Sequence, residues 1–93
     1  MKVILENRAS KYLRKLDSND YQRIDEALEK LSLEPPEGDI EKLEGKKKEK
    51  SYRLRIGDWR ILYKVKERTN EYGVTENCIA VYKIASRGQA YKR

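Results

Sequence analysis

Three arginines stand out in the middle of the chain: Arg53, Arg55 and Arg60. Tyr52, Leu54 and Ile56 alternate with the first two. Trp59, Ile61, Tyr63 and Val65 alternate with Arg60, Leu62 and Lys64. Successive strand side chains point to opposite faces, so this spacing predicts two strands, each with one apolar and one basic side. Gly57 supplies the positive φ that a tight hairpin turn needs, and Asp58 is its polar partner in the turn. If the apolar sets share one core, Arg53, Arg55 and Arg60 share the opposite face. Guanidiniums so placed repel one another and are stable together only in water or facing an anion. A phosphodiester backbone is such an anion, and arginine grips it through two parallel hydrogen bonds.

Other cations extend this surface. Lys46, Lys47, Lys48 and Lys50 form the densest basic run, just before the first of these strands. Such a run is either a solvated loop or an extension of the phosphate-binding surface, and both readings stay open. Near the end, strand parity places Lys83, Ala85 and Arg87 on one side. Trp59 is read as packing, Asp58 as a turn residue, and Tyr52, Tyr63 and Tyr82 as core.

The composition bounds the chemistry. There is no histidine, so the usual zinc and iron sites are excluded, and no cofactor is expected. The single cysteine, Cys78, excludes an intramolecular disulfide, fits a reducing cytoplasm and reads as a small buried hydrophobe. No apolar run approaches the length of a membrane span, and the first residues lack the pattern of a secretory signal. A cytoplasmic protein with no membrane partner is expected. The net charge is +6 and unevenly spread. Residues 1–40 carry 7 basic and 9 acidic side chains, residues 41–66 carry 10 and 4, and residues 67–93 carry 5 and 3. Charge segregated in this way points to an anionic partner, nucleic acid before membrane.

The elements that must hold these residues can be read in order. Lys2–Glu6 is a short strand with Val3, Ile4 and Leu5 at its centre. Asn7 is the expected cap of a helix whose apolar stripe is Ala9, Tyr12, Leu13 and Leu16. Asp17–Asp20 is a break rich in capping residues. A second helix carries Tyr21, Ile24, Ala27, Leu28 and Leu31 on one side, with Glu26 and Lys30 spaced for an ion pair, and Pro35-Pro36 stops it. Glu37–Lys50 is a polar connection anchored by Ile40 and Leu43. Cys78–Ala85 is continuously apolar enough to be a strand buried on both faces. The expected fold is α+β, β-α-α-β-β-β, one domain over residues 1–93. A helical hairpin packs on one face of a small, mainly antiparallel sheet, and the other face is left for function.

In this order, these features make the chain resemble the RelE/ParE superfamily of toxin–antitoxin toxins over nearly its whole length. The residues that carry the resemblance are Lys42-Leu43-Glu44-Gly45, the hairpin from Tyr52 to Tyr63, and the tail Ser86-Arg87-Gly88-Gln89-Ala90-Tyr91-Lys92. The tail is similar to the archaeal RelE-like branch. The resemblance implies a ribosome-dependent endoribonuclease that cuts mRNA in the A site of a 70S-type ribosome, without metal or cofactor, and is neutralised by a RelB-like antitoxin. It also implies site roles for Arg53, Arg55, Arg60, Arg87 and Tyr91. Lys46, Lys47, Lys48, Lys50, Lys83 and Lys92 would bind RNA phosphates.

Elementary chemistry agrees with part of this. Phosphodiester cleavage builds negative charge that a preorganised cationic cluster stabilises. The family prototype has lysines where this chain has Arg53 and Arg55, and arginine stays protonated in almost any setting. Proton transfer therefore falls to the C-terminal segment, with Tyr91 as base or orienting group and Arg87 as charge stabiliser or weak acid. Two alternatives stand beside this reading. One is a ParE-like inhibitor of DNA gyrase. The other is an RNA- or ribosome-binding homologue with weakened catalysis.

Overall fold

In a computed structural model of the chain, residues 1–43 and 50–86 are described, Lys50 by its backbone. The elements are β1 (Lys2–Leu5), α1 (Asn7–Arg14), α2 (Ser18–Leu31), β2 (Asp39–Lys42), β3 (Lys50–Ile56), β4 (Trp59–Thr69) and β5 (Thr75–Ser86). The five strands form one mixed sheet in the order β1-β5-β4-β3-β2. Only β1 and β5 run parallel; the other neighbours are antiparallel. This is the expected α+β arrangement of two helices against a sheet, with one strand more than the sequence predicted.

Both helices form on their apolar stripes. Ala9 and Leu13 of α1 are buried, with Tyr12 and Leu16 packed beside them. Glu6, not Asn7, is the N-cap of α1, and it caps without a side-chain hydrogen bond. In α2, Asp17 is the N-cap, and its carboxylate accepts from the Asp20 backbone N–H at 2.9 Å. That bond satisfies a donor the helix leaves open. Ile24, Leu28 and Leu31 are buried, whereas Tyr21 at the open end of the same stripe is exposed. Glu26 accepts from Gln22 at 3.4 Å instead of pairing with Lys30. The helix ends at Leu31, before the two prolines.

The helices cover one face of the sheet. Leu54, Ile61, Tyr63, Ile79, Val81 and Ile84 meet Ile24, Leu28 and Leu31 in a single cluster. Tyr52 stacks on Tyr63 with ring centroids 5.3 Å apart. Trp59 meets the Tyr12 ring edge-on at 6.1 Å, which fixes the α1 side of the core. Cys78, Ile79, Ala80 and Val81 are all buried, as their run of apolar residues implied. Their strand lies between β1 and β4.

The connection after α2 differs from expectation. Asp39–Lys42 is not a loop but an edge strand paired to β3, with Asp39 opposite Arg55, Ile40 opposite Leu54 and Glu41 opposite Arg53. Four residues with three charges carry almost no strand signal of their own. They form a strand because Asp39 and Glu41 face arginines on β3 and Ile40 faces Leu54. Gly38 precedes the strand with φ +139°, and a Cβ there would lie 2.6 Å from Leu54 Cδ1.

Among the described residues, no helix is long and apolar enough to cross a membrane.

Candidate nucleic-acid interface

The β3–β4 hairpin turns through two residues, since Ile56 pairs with Trp59. Gly57 has φ +56°, and no non-glycine residue among those described has positive φ. A glycine-first turn with this sign pattern matches the right-handed twist of the flanking strands. The turn sets the register that places Arg55 directly opposite Arg60 and Arg53 opposite Leu62. One strand further, Arg60 lies opposite Ala85 and Leu62 opposite Lys83. Leu54, Ile56, Ile61 and Tyr63 point into the core. Arg53, Arg55, Arg60 and Lys83 therefore fall on the sheet face without helices, as the alternation predicted.

The three arginines do not confront one another bare. Arg53 Nη2 lies 2.9 Å from a Glu41 carboxylate oxygen, and Arg55 Nε donates to Asp39 Oδ2 at 2.7 Å. The anions that let the guanidiniums coexist come in part from β2. Solvent or a ligand alone, the source that the spacing of the arginines implies, does not supply them. Arg60 is the one buried charged side chain among the described residues, at 6% exposure. Its Nη1 donates to the carbonyls of Gly57 at 3.0 Å and Trp59 at 3.1 Å. Arg60 is thus folded back on the turn, which fixes the guanidinium before any ligand arrives. Asp39, Arg55, Gly57, Asp58 and Arg60 line an open recess of about 480 Å³. Asp58 is a turn residue at its rim, and the carboxylate that holds Arg55 is Asp39.

The face continues along β4 and β5. A register shift between Leu62 and Tyr63 takes up one extra residue on β5, Tyr82. Tyr82 is not a core residue as expected; it is half-buried, with Lys64 Nζ 5.4 Å from its ring centroid. The bulge reverses the parity of β5, which is how Tyr82 leaves the core. Lys83 is half-buried and borders a groove beside α1. Lys46, Lys47, Lys48, Arg87, Tyr91 and Lys92 lie outside the described residues, and Lys50 is placed by its backbone alone.

Two carboxylates of this site, Asp39 and Glu41, escaped sequence reasoning. Their signal was the i, i+2 spacing that matches Arg53 and Arg55, but it has meaning only once the two segments are known to pair. The burial of Arg60 was hinted at by its position in an otherwise apolar strand.

The site sits in a chain with known relatives. Residues 3–91 match the family described as "ParE toxin of type II toxin-antitoxin system, parDE". Among solved structures, the chain is similar to one from the archaeal RelE–RelB complex of Pyrococcus horikoshii OT3. That match has 31% identity and a TM-score of 0.68, and covers 95% of this chain and 96% of that one. No curated protein matches.

Proposed function

The chain belongs to the RelE/ParE superfamily of toxins of type II toxin–antitoxin systems, and from that premise we propose that it is a ribosome-dependent endoribonuclease acting on mRNA in the A site. The observation that carries this reading is the row formed by Arg55, Arg60 and Ala85 on the helix-free face, with Arg53 in the next row. This face has the geometry of a phosphate clamp. Arg60 is held rigid by two turn carbonyls, and Arg55 shares a recess with it.

In the proposed reaction the 2′-hydroxyl of one nucleotide loses its proton and attacks the adjacent phosphorus. The bond to the 5′-oxygen breaks and that oxygen takes up a proton. The products are a 2′,3′-cyclic phosphate and a 5′-hydroxyl. Arg53, Arg55 and Arg60 hold the phosphate and stabilise the charge on its equatorial oxygens. Arginine does not serve as the base, so Arg87 and Tyr91 are assigned to proton handling. Lys46, Lys47, Lys48, Lys50, Lys83 and Lys92 supply further contacts to RNA phosphates. The partner that restrains the activity is a RelB-like antitoxin, and the compartment is the cytoplasm.

Purified protein with programmed ribosomes tests this directly. The wild type is expected to cut mRNA in the A site, and Arg60→Ala or Arg87→Ala to slow cutting by about 10²–10³-fold, the usual loss of one charge-stabilising donor. Intact mRNA with ribosome-bound wild type would overturn the reading. The match to the ParE family favours a second reading, inhibition of DNA gyrase, which predicts loss of supercoiling with no ribosome present.

A further inference from the structure

A second cationic surface lies next to the arginine face. β1 pairs with β5 only along Cys78–Val81, and the Glu6 backbone N–H closes that pairing on the Val81 carbonyl at 2.9 Å. Beyond Val81 no strand among the described residues lies beside the outer edge of β5, and α1 rises there instead. Between them runs an open groove of about 460 Å³, lined by Arg8, Lys11 and Tyr12 of α1, by Lys15 at its C-cap, and by Lys83, Ile84 and Ala85 of β5. Arg8, Lys11 and Lys15 follow helical spacing, so they project on one side of α1. No carboxylate among the described residues pairs with these three cations or with Lys83. This differs from the arginine face, where β2 supplies Asp39 and Glu41. Four cations with no carboxylate partner among the described residues, around one phenol ring, make a surface suited to an external polyanion.

The groove and the clamp meet at one strand pairing. Ala85 is both a wall of the groove and the cross-strand neighbour of Arg60, which in turn faces Arg55. Two strand spacings, about 10 Å, separate Arg55 from Ala85. From Arg8 to Lys15 the helix rises about 10 Å, enough to meet more than one phosphate of an RNA backbone. We infer that the α1–β5 groove carries the single-stranded RNA onward from the arginine clamp, with Arg8, Lys11, Lys15 and Lys83 contacting its phosphates. The inference rests on the RNA-cleaving reading, and it adds a track for nucleotides flanking the scissile phosphate. An acidic peptide would satisfy the same charges, but the strand pairing of Ala85 with Arg60 sets the groove beside the clamp and favours RNA.

The test uses the full chain and fluorescein-labelled oligouridines of about 4 and about 12 nucleotides, followed by anisotropy from about 50 to 200 mM salt. The wild type is expected to bind the longer RNA more tightly. The variant R8A/K11A/K15A is expected to lose that gain while keeping its affinity for the short RNA. Three lost contacts at about 0.7 each lower the salt slope by about 2. Over the fourfold salt range the wild type then loses about 20-fold more affinity than the variant. The charge-conserving variant R8K/K11R/K15R is expected to behave as wild type. An alanine variant that retains wild-type affinity and slope for the longer RNA overturns the inference. So does a variant that loses only binding to an acidic peptide. A measurement on unaltered protein guards against misfolding. A 4-thiouridine at the RNA end is expected to crosslink to the Arg8–Lys15 segment, and crosslinks confined to β3 and β4 overturn the track. These assays contain no ribosome and read no cleavage, so the groove and the ribonuclease reading fail separately.

Discussion

The two carboxylate–arginine pairs make opposite demands on intuition. Asp39–Arg55 is the shorter contact at 2.7 Å, and Glu41–Arg53 is 2.9 Å. Burial ranks them the other way. The Arg53 side chain is only 15% exposed, whereas Arg55 is 51% and Asp39 47% exposed. A half-exposed pair gains little over two hydrated ions, on the order of 0.2–1 kcal/mol. A hydrogen bond to a charged group is worth about 1.5–3 kcal/mol when shielded. Glu41 is itself 64% exposed, so that range must be reduced, to about 1–1.5 kcal/mol. We therefore expect double-mutant cycles to give the larger coupling for Glu41–Arg53 and about 0.5 kcal/mol for Asp39–Arg55. Urea unfolding of the wild type, E41Q, R53Q and the double variant measures the first pair, and D39N, R55Q and their double the second. Raising the salt should weaken the Asp39–Arg55 coupling more, because solvent ions reach it. Equal couplings, or a larger one for Asp39–Arg55, would refute the argument that burial, not distance, decides the strength of these pairs.

Two further outcomes follow from the turn and the core. Gly57→Ala puts an L side chain at φ +56° and a Cβ 2.7 Å from Arg23 Nη2. The exposed Arg23 side chain can swing away, so the backbone strain dominates, and a loss of about 1–2 kcal/mol in urea unfolding is expected; a loss below about 0.5 kcal/mol would contradict the assigned turn. The Tyr63 hydroxyl is pushed up from 10.0 to about 12, first by burial and then by the neighbouring Tyr52. Its neutral form is favoured in the folded state, so stability is intact below pH 10 and falls as pH rises from 10 towards 12, where only the unfolded chain ionises. The ceiling on that loss is ~2.7 kcal/mol, which solvent screening lowers to about 1–2. Tyr63→Phe should remove this part of the alkaline loss in pH-dependent unfolding, and an unchanged alkaline limb would contradict it.

The hairpin and the core strand were legible because each carries a period-two pattern over many residues, with Gly57 marking the turn. The helices were legible from stripes ending in Leu16 and Leu31. β2 was not, because Asp39-Ile40-Glu41-Lys42 has one apolar residue and becomes a strand only through partners on β3. Tyr82 was misplaced for a related reason: a bulge shifts the parity of β5 between Val81 and Lys83, and no residue type announces it. At the site, the shared face of Arg53, Arg55 and Arg60 followed from parity. Their counter-ions did not, since those depend on a pairing between distant segments. The groove beside α1 was equally hidden, because Arg8, Lys11 and Lys15 look like ordinary outward residues until the end of β1 leaves the β5 edge open.

The parallel pairing of β1 with β5 has a consequence for how the chain is made. Lys2 sits beside Cys78, and Leu5 beside Val81. β1 is therefore made well before its partner β5, and closing that span costs about 4 kcal/mol of chain entropy before the pairing returns anything. The hairpins β3–β4 and β4–β5 close over only a few residues. While the polypeptide is still being synthesised, Val3, Ile4 and Leu5 have no sheet to join. The β1 segment is then an unmatched β-strand, and the sheet is completed only when β5 emerges to pair with it.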